Sequence, residues 1–424
     1  MVGKLIACVA IAWIGMAGMA RSQSVLIVDP INPGYFPTAQ AAVDAAASGD
    51  VILIHFQYNL PYFEVAGKSL VIAADKGQPF FGDGKLLNHS MDTGSTHTRI
   101  HDLLPGQRVV LLDVDFEGLQ LDNVQGQVWL EKVNAFHIAP AMRATAVNDL
   151  VIHDGHLSGP DQVLFFAGVQ VGGSGLETYS TRAVLHAVEV HGGKGSSWEC
   201  AGTTGCLSGP GSLAMLASSG QLWLSAASIT GGNGGLGVKD GAGVCHPGED
   251  GGDGLLVGGG AILRLTDVPI AAGLGAAGPD PASCSLGVGG SGEDGVALTV
   301  VDGVVQNLNY DTLALDVQAI AAEQQPLTAT ISGPPNTGVV LLISTKSNRL
   351  SIGAVDGPLL TGVPDVVVFL GHLPASGLLS LQGQVPDLGL GVKAATITLQ
   401  VLSQQGGKYV AGPGAIVLLL DSSI

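Results

Sequence analysis

Apolar and polar residues alternate along much of the first 300 positions, and the alternation returns in short units of similar outline. The stretch VVLLDVDFEG (109–118) places apolar residues on either side of Asp113. Its outline recurs around six later anchor residues, which are Lys132, Asp154, Ala187, Ala226, Asp267 and Asp302. In each unit the residues two positions before and three positions after the anchor are apolar. Alternation predicts strands with one buried face, and the change of phase at the anchor predicts a corner between two short strands.

The spacing of the anchors predicts a solenoid. The first anchors lie 132 − 113 = 19 and 154 − 132 = 22 residues apart. That is the length of one coil that buries its side chains against the next coil. The later anchors are 33 to 41 residues apart, and we expect loops to hold the additional residues.

The segment PTAQAAVDAAASGDVILI (37–54) adds a predicted helix before the first strand, with Thr38 at its N-cap and Gly49 after its end. With the recurring units, it resembles the right-handed parallel β-helix of the pectate-lyase-like superfamily over about residues 25–308. The resemblance implies an all-β fold, but it does not settle the activity, because that superfamily includes lyases, hydrolases, esterases and catalytically silent adhesins. The clustered or paired aspartates of its enzymes have no counterpart here, so no catalytic residue is transferred.

A different pattern begins after the last unit. Residues 309–424 hold short β-prone runs such as GVVLLIST and AIVLLLD, separated by turn-forming residues. This pattern predicts a small antiparallel β-sandwich as a C-terminal domain. Its expected role is either attachment and sugar binding or capping of the open end of the solenoid.

The N-terminal residues 1–20 have the basic and apolar pattern of a signal peptide. We therefore expect a secreted protein, extracellular or at the cell surface, with no transmembrane span after signal removal. The formal net charge of −18 disfavours nucleic acid and anionic membranes as partners.

Glycine-rich loops within 192–295 carry four cysteines, which are Cys200, Cys206, Cys245 and Cys284. In an exported chain they favour two disulfides, and three pairings are possible. We favour Cys200 with Cys206 inside one loop and Cys245 with Cys284 across two loops. A zinc site is the lesser alternative because no C-x-x-C spacing occurs.

The same loops contain an outline of calcium-binding nonapeptides. GGSGEDGVA (289–297) matches it, and GEDGGDGLL (248–256) matches it with Glu249 in place of the second glycine. Asp253, Glu293 and Asp294 are the candidate metal ligands, and Ca²⁺ is the candidate cofactor. The alternative is that these segments are solvated turns.

Polar residues beside the anchors form a candidate binding face on the outside of the predicted coils. Its members are Trp129, Glu131, Asn134, His153, His156, His186 and Glu189, with Ser158 and His191 at its edge. Neighbouring strands lie about 4.8 Å apart, a distance that suits a transition-metal site or an acid/base pair. Trp129 is a candidate for stacking on a sugar ring. The alternative is an ordinary solvated strand face with no specific role.

Three functions fit these observations, and the least specific of them is a low-complexity glycine-rich surface protein without a specific ligand. The first is a non-catalytic extracellular binding or structural protein, with an extracellular polysaccharide or another cell-surface component as partner and carbohydrate as the first-choice ligand. The second is a carbohydrate-active enzyme, a polysaccharide lyase or glycoside hydrolase, that uses the outward histidine and glutamate face.

Overall fold

A computed structural model describes most of the chain. The described residues are 23–55, 62–75, 97–136, 139–161, 164–165, 168–169, 172–196, 209–239, 244–287 and 289–424. They form an all-β protein in which long parallel sheets are followed by antiparallel sheets. Among these residues, no helix has the length and apolar character of a membrane span.

The first part of the chain is a stack of parallel coils, here called the β-helix. Its first half contains β1 (Val25–Val28), α1 (Ala39–Ala45), β2 (Val51–Ile54), β3 (Glu64–Ala66), β4 (Leu70–Ala74), β5 (Thr98–His101), β6 (Arg108–Leu112), β7 (Asp115–Phe116), β8 (Leu119–Glu131), β9 (Asn134–Ala135), β10 (Met142–His153) and β11 (His156–Ser158). Its second half contains β12 (Leu164–Phe165), β13 (Gly168–Val169), β14 (Leu176–His186), β15 (Glu189–His191), β16 (Met215–Ser225), β17 (Ser228–Thr230), β18 (Val244–Cys245), β19 (Leu255–Gly258), β20 (Ala261–Thr266), β21 (Ile270–Ala271), a 3₁₀ turn (Pro281–Ser283), β22 (Leu286–Gly287), β23 (Leu298–Val300) and β24 (Gly303–Asn307).

Each middle coil has three sides that are separated by corners. The long strands β8, β10, β14 and β16 supply the first and second sides, and the short strands β9, β11, β15 and β17 supply the third side. Residues with positive φ turn the chain within or after the long strands. They are Asn123, Ala146, Ser180 and Ser219 at the first corner, and Asp113, Lys132, Asp154, Ala187, Ala226 and Asp267 at the second. The predicted corner at the anchor is therefore confirmed for six of the seven units.

For the seventh unit the predicted position of the corner is wrong. Asp302 lies at the first corner, because Gly260 donates a backbone hydrogen bond to the carbonyl of Asp302 and β19 pairs with β23. Leu265 pairs with Asn307, so the counterpart of the Asp267 corner falls after β24. The sequence pattern does not distinguish the first corner from the second, because apolar and polar residues alternate in the same way around both.

The interior of the β-helix is filled by the predicted apolar columns. The residues two positions before the six confirmed anchors are buried, and they are Leu111, Leu130, Ile152, Leu185, Leu224 and Leu265. The helix α1 covers the first coils with Ala39, Ala42 and Val43, and the Thr38 hydroxyl accepts a hydrogen bond from the N–H of Ala41. The capping helix predicted from the sequence is thus present.

The second part of the chain, here called the sandwich (314–420), has two facing sheets. Its strands are β25 (Ala314–Val317), β26 (Ile320–Ala322), β27 (Pro326–Ser332), β28 (Gly338–Ser344), β29 (Val355–Asp356), β30 (Val366–His372), β31 (Leu378–Gln384), β32 (Ala394–Gln405) and β33 (Lys408–Leu420). One sheet has the order β25-β27-β31, and the other has the order β26-β33-β32-β28-β30 with β29 on β33. Ile331, Leu341, Leu399 and Val417 belong to the apolar core between them.

The described parts of the glycine-rich segments approach one another closely through their backbones. Their glycines recur every third residue, as in Gly231, Gly234 and Gly237. A Cβ placed on Gly232 would lie 1.9 Å from the carbonyl oxygen of Gly193, so only glycine allows this approach. Backbone hydrogen bonds join successive segments, for example from Gly273 to Gly252. A three-residue period of this kind suits chains of polyproline II type.

A disulfide connects two of these segments. Cys245 and Cys284 are bonded, with their Cα atoms 5.5 Å apart, and the adjacent strands β18 and β22 are paired. The predicted pairing of Cys245 with Cys284 is confirmed. Cys200 and Cys206 lie outside the described residues, as do residues 1–20.

We predict that Gly232→Ala destabilises the protein because the added methyl meets backbone atoms that cannot move independently. Overpacking of this kind costs about 1–3 kcal/mol. Urea unfolding followed by circular dichroism measures the change. Gly258→Ala is the matched control, because a Cβ there meets nothing within 4 Å. Equal stability of the two variants would contradict the close packing.

Candidate functional site

The second side of the β-helix is buried on both faces in the early and middle coils. Its inner residues fill the β-helix, while outward residues such as Val110, Trp129 and Val151 pack against the sandwich. From the sandwich, Ile416 and Leu418 of β33 complete this apolar cluster. The sandwich therefore lies along the side of the coils.

Capping the end of the solenoid was one of two expected roles of the sandwich, but in the described residues the sandwich leaves part of the last coil exposed. Val300, Val301 and Val304 in the last coil are 46%, 75% and 47% exposed. The apolar surface that needs a cover is instead the outer face of the second side, where β2 and β6 carry apolar residues on both faces. Such continuous apolar runs are typical of strands that are covered on both faces.

Charged side chains fix the sandwich to the β-helix around this apolar cluster. The Arg108 guanidinium donates hydrogen bonds to the hydroxyls of Ser347 at 2.7 Å and Thr396 at 2.9 Å. Lys132 donates to the Asp316 carboxylate at 2.9 Å and to the carbonyl of Val317 at 3.1 Å. Polar partners at both ends of the interface select one orientation of the two parts.

Glu131 is the polar centre of the interface, and its side chain is fully buried. One carboxylate oxygen lies 2.6 Å from Nδ1 of His153, and the other accepts from the Trp129 indole N–H at 3.0 Å. The backbone N–H of Ile416 in the sandwich also donates to the second oxygen, at 3.3 Å. Burial opposes a charged imidazolium, but the adjacent Glu131 carboxylate outweighs it and raises the pKa of His153. The pair is therefore a buried ion pair with its oxygens occupied.

His186 stacks on His153, with ring centroids 5.5 Å apart and an interplanar angle of 16°. Its Nδ1 lies 2.7 Å from the hydroxyl of Ser225, whereas its buried Nε2 has no hydrogen-bond partner among the described residues. Burial, with the charge on His153, lowers the pKa of His186 well below its usual value. His186 is consequently neutral at pH 7.

His186 and Ser225 line a cavity of about 40 Å³, with Leu360 on the sandwich side and Tyr310 in the segment that connects the two parts. A water molecule needs about 10–15 Å³ measured in this way, so the space holds a few waters. A sugar residue is several times larger than one water, and it does not fit beside His186.

The expectation that this face is open to solvent is wrong for Trp129, Glu131, His153 and His186, which are 0%, 0%, 3% and 4% exposed. The strand register itself is as predicted, because His153 pairs with both Glu131 and His186. What the alternation did not reveal is the second layer over these strands. The signal that could have revealed it is the apolar outward column at Val51, Val71 and Val110 in the preceding coils.

The third side of the β-helix remains open and carries the other half of the predicted face. His156 pairs with Asn134 on one flank and Glu189 on the other, as predicted. We call this surface the third-side strip; its outward residues are Asp115, Asn134, His156, Ser158, Glu189, His191, Ser228 and Thr230. It is a row of hydrogen-bonding groups at the strand spacing.

Three groups on the third-side strip converge. Nδ1 of His156 lies 3.1 Å from Oε2 of Glu189, and Nε2 of His191 lies 3.9 Å from the same oxygen. The two imidazole rings have centroids 5.1 Å apart. Partial burial, with the nearby His156, lowers the pKa of His191. Within the described parts of the chain, no other group of three such ligand atoms comes together.

Two of the three candidate calcium ligands, Asp253 and Asp294, accept hydrogen bonds from backbone N–H groups of neighbouring glycine-rich segments. The Asp253 carboxylate accepts from the N–H of Val296 at 2.7 Å, and the Asp294 carboxylate accepts from the N–H of Gly275 at 2.8 Å. The backbone N–H of Glu293 donates to the Asp250 side chain at 2.7 Å. These bonds give the aspartates a role in segment packing, and calcium binding stays a prediction.

Comparison with known proteins gives no family. No protein-family model and no curated protein matches the chain. Among solved structures, it matches superoxide reductase (neelaredoxin) from Ignicoccus hospitalis at 11% identity, over 26% of this chain and 80% of that chain. The TM-score is 0.17, and a similarity at that level supports no inference about fold or function.

We predict that Glu131→Gln destabilises the protein by about 3–5 kcal/mol, because it leaves the buried His153 without its countercharge. Chemical unfolding at pH 7 measures this loss. Glu189→Gln is the matched control, since the Glu189 side chain is 63% exposed, and a change below about 1 kcal/mol is expected there. A small effect of Glu131→Gln would contradict the buried ion pair.

We also predict a dependence of stability on pH that comes from His186. Its pKa is lowered in the folded protein, so below the unfolded pKa of about 6.5 only the unfolded state takes up this proton. As the pH is lowered below this value, the free energy of unfolding therefore decreases by up to about 1.4 kcal/mol per pH unit. The contribution of His153 to the free energy of unfolding depends on pH in the opposite way. Its raised pKa stabilises the folded protein at low pH, and this contribution is lost as the pH rises through the pKa of the folded state.

Unfolding of the wild-type protein and of His186→Gln between pH 7 and pH 5 separates the two histidines. The variant should lose less stability over this interval. The exposed His372→Gln is the control and should behave like the wild type. Parallel curves for wild type and His186→Gln would refute a neutral, buried His186.

Proposed function

We propose that this protein is an exported β-helix protein with a non-catalytic binding or structural role, and that its ligand is an extracellular carbohydrate. The proposal takes the coils as right-handed and of the pectate-lyase-like type. Parallel pairing between successive coils, corners at the anchors and a capping helix before the second strand support that assignment.

The observation that carries the proposal is the burial of the Glu131, His153 and His186 column beneath the sandwich. A general acid or base must come within hydrogen-bond distance of the group that it protonates or deprotonates. Both oxygens of Glu131 are occupied, and the space beside His186 holds only a few waters. This column therefore suits a structural role, and its burial removes Glu131, His153 and His186 from the residues predicted for polysaccharide cleavage.

The third-side strip supports the binding role. Its outward side chains are polar, and Asn134, His156 and Glu189 stand at successive strand positions about 4.8 Å apart. A row of donors and acceptors can hydrogen-bond to the hydroxyls along an extended polysaccharide chain. Small substrates, in contrast, are usually bound in concave pockets. The disulfide between Cys245 and Cys284 supports export, because disulfides persist in oxidising compartments.

Incubation of the full-length chain with immobilised neutral and acidic polysaccharides, with and without divalent cations, tests this function. Bound protein, reducing ends and unsaturated products are measured in the same samples. We expect saturable binding to at least one polysaccharide without formation of either product. A double variant, Asn134→Ala with Glu189→Ala, should weaken that binding at least tenfold because it removes the polar groups on both flanks of His156.

The matched control is Thr328→Ala with Gln382→Ala, an exposed polar pair across β27 and β31 of the sandwich. Its binding should equal that of the wild type. Loss in this control alone would move the ligand to the sandwich and contradict the strip as the binding surface. Product formation by the wild type would overturn the non-catalytic role, and absence of binding across the panel would overturn the carbohydrate ligand.

A further inference from the structure

Two histidines and a glutamate on the third-side strip have the arrangement of metal ligands. His156 is opposite Glu189 across β11 and β15, and Ser158 is opposite His191. Because residues two apart on a strand point to the same face, all these side chains project outward. Glu189 lies between the two imidazoles, and the three ligand atoms are within 4.8 Å of one another.

The backbone beneath the three residues is held on all sides. Leu157 and Val190 alternate with them and are fully buried in the β-helix. The flanking strands β9 and β17 pair with β11 and β15, so neither ligand strand is an edge of the sheet. A site on such rigid strands needs little backbone adjustment on binding, and this favours affinity.

The distances suit a first-row transition metal once the side chains rotate slightly. Zn²⁺ binds nitrogen and oxygen at about 2.0–2.2 Å, so ligand atoms around a tetrahedral ion are about 3.3–3.6 Å apart. The distance from His156 Nδ1 to Glu189 Oε2 is already 3.1 Å, and that from His191 Nε2 to Glu189 Oε2 is 3.9 Å. All three side chains are at least one-third exposed, so solvent leaves room for small rotations.

The donor set selects the class of metal. Imidazole nitrogens suit Zn²⁺, Cu²⁺, Ni²⁺ and Fe²⁺, whereas Ca²⁺ and Mg²⁺ require mostly oxygen ligands. Two histidines and one carboxylate leave at least one coordination position free. The buried pair of Glu131 and His153 is not a comparable metal site, because both oxygens of Glu131 already accept hydrogen bonds.

We propose that His156, Glu189 and His191 form a binding site for one divalent transition-metal ion, with Zn²⁺ as the representative ion and an open position facing solvent. The proposal does not depend on the carbohydrate function. An ion held there would present its open position on the strip, where an oxygen of an outer ligand can reach it.

Isothermal titration calorimetry of the metal-free full-length protein with ZnCl₂ tests the site, without polysaccharide present. One ion per chain is expected to bind saturably. His156→Ala, Glu189→Gln and His191→Ala should each lower the affinity at least tenfold, because each removes one of only three ligands. Circular dichroism should show that all three variants remain folded, since the altered side chains are exposed.

His372→Ala is the matched control, because His372 is exposed on the sandwich, and it should bind Zn²⁺ like the wild type. Replacement of Zn²⁺ by Co²⁺ gives a second readout, in which wild type shows the visible absorption of a nitrogen- and oxygen-bound ion and the three variants do not. No saturable binding by the wild type, or wild-type affinity in any one of the three variants, would overturn the site. Calcium titrations with the same variants distinguish it from a site in the glycine-rich segments, which these substitutions should leave unchanged.

Discussion

The packing of β33 between two apolar layers is the constraint on which the rest of the structure depends. Alternate residues of this strand enter different cores, with Val417 and Leu419 facing the sandwich interior and Ile416 and Leu418 facing the β-helix. Its apolar run is consequently buried on both faces, as is usual only for strands in the middle of a layered protein. The sandwich and the β-helix therefore share this sheet as a common layer.

That shared layer explains why polar residues in the middle coils are buried. The outward column is apolar in the early coils and becomes polar at Glu131, His153 and His186, yet the same sheet covers it. Buried polar groups are costly unless they are hydrogen-bonded. Glu131 meets this requirement with bonds from His153, Trp129 and the backbone of Ile416, and it thereby ties both parts of the chain to one register. Buried polar contacts of this kind favour one orientation over other apolar packings.

The sequence was most informative where one layer of structure decides the pattern. Anchors such as Asp113 and Asp154 marked real corners, and the inner columns were buried as expected. The alternation could not distinguish an outward residue in solvent from an outward residue under a second sheet, because both are outside the β-helix. For the same reason, His153 and His156 appeared equivalent in the sequence although only His156 is on an open side. The glycine-rich segments were misleading in another way, since glycine there permits close backbone contact, as at Gly232, rather than a solvated turn.

The histidines of the β-helix belong either to a covered column or to an open strip, and chemical labelling tests this separation most directly. Diethyl pyrocarbonate modifies accessible neutral imidazoles, and mass spectrometry of the digested protein gives the rate at each histidine. We expect His156 and His191 to be modified quickly, whereas His153 and His186 are protected in the folded protein and modified after unfolding. Labelling of His186 at the rate of His156 in the folded protein would contradict the account, because the sandwich would then not cover the second side of the β-helix.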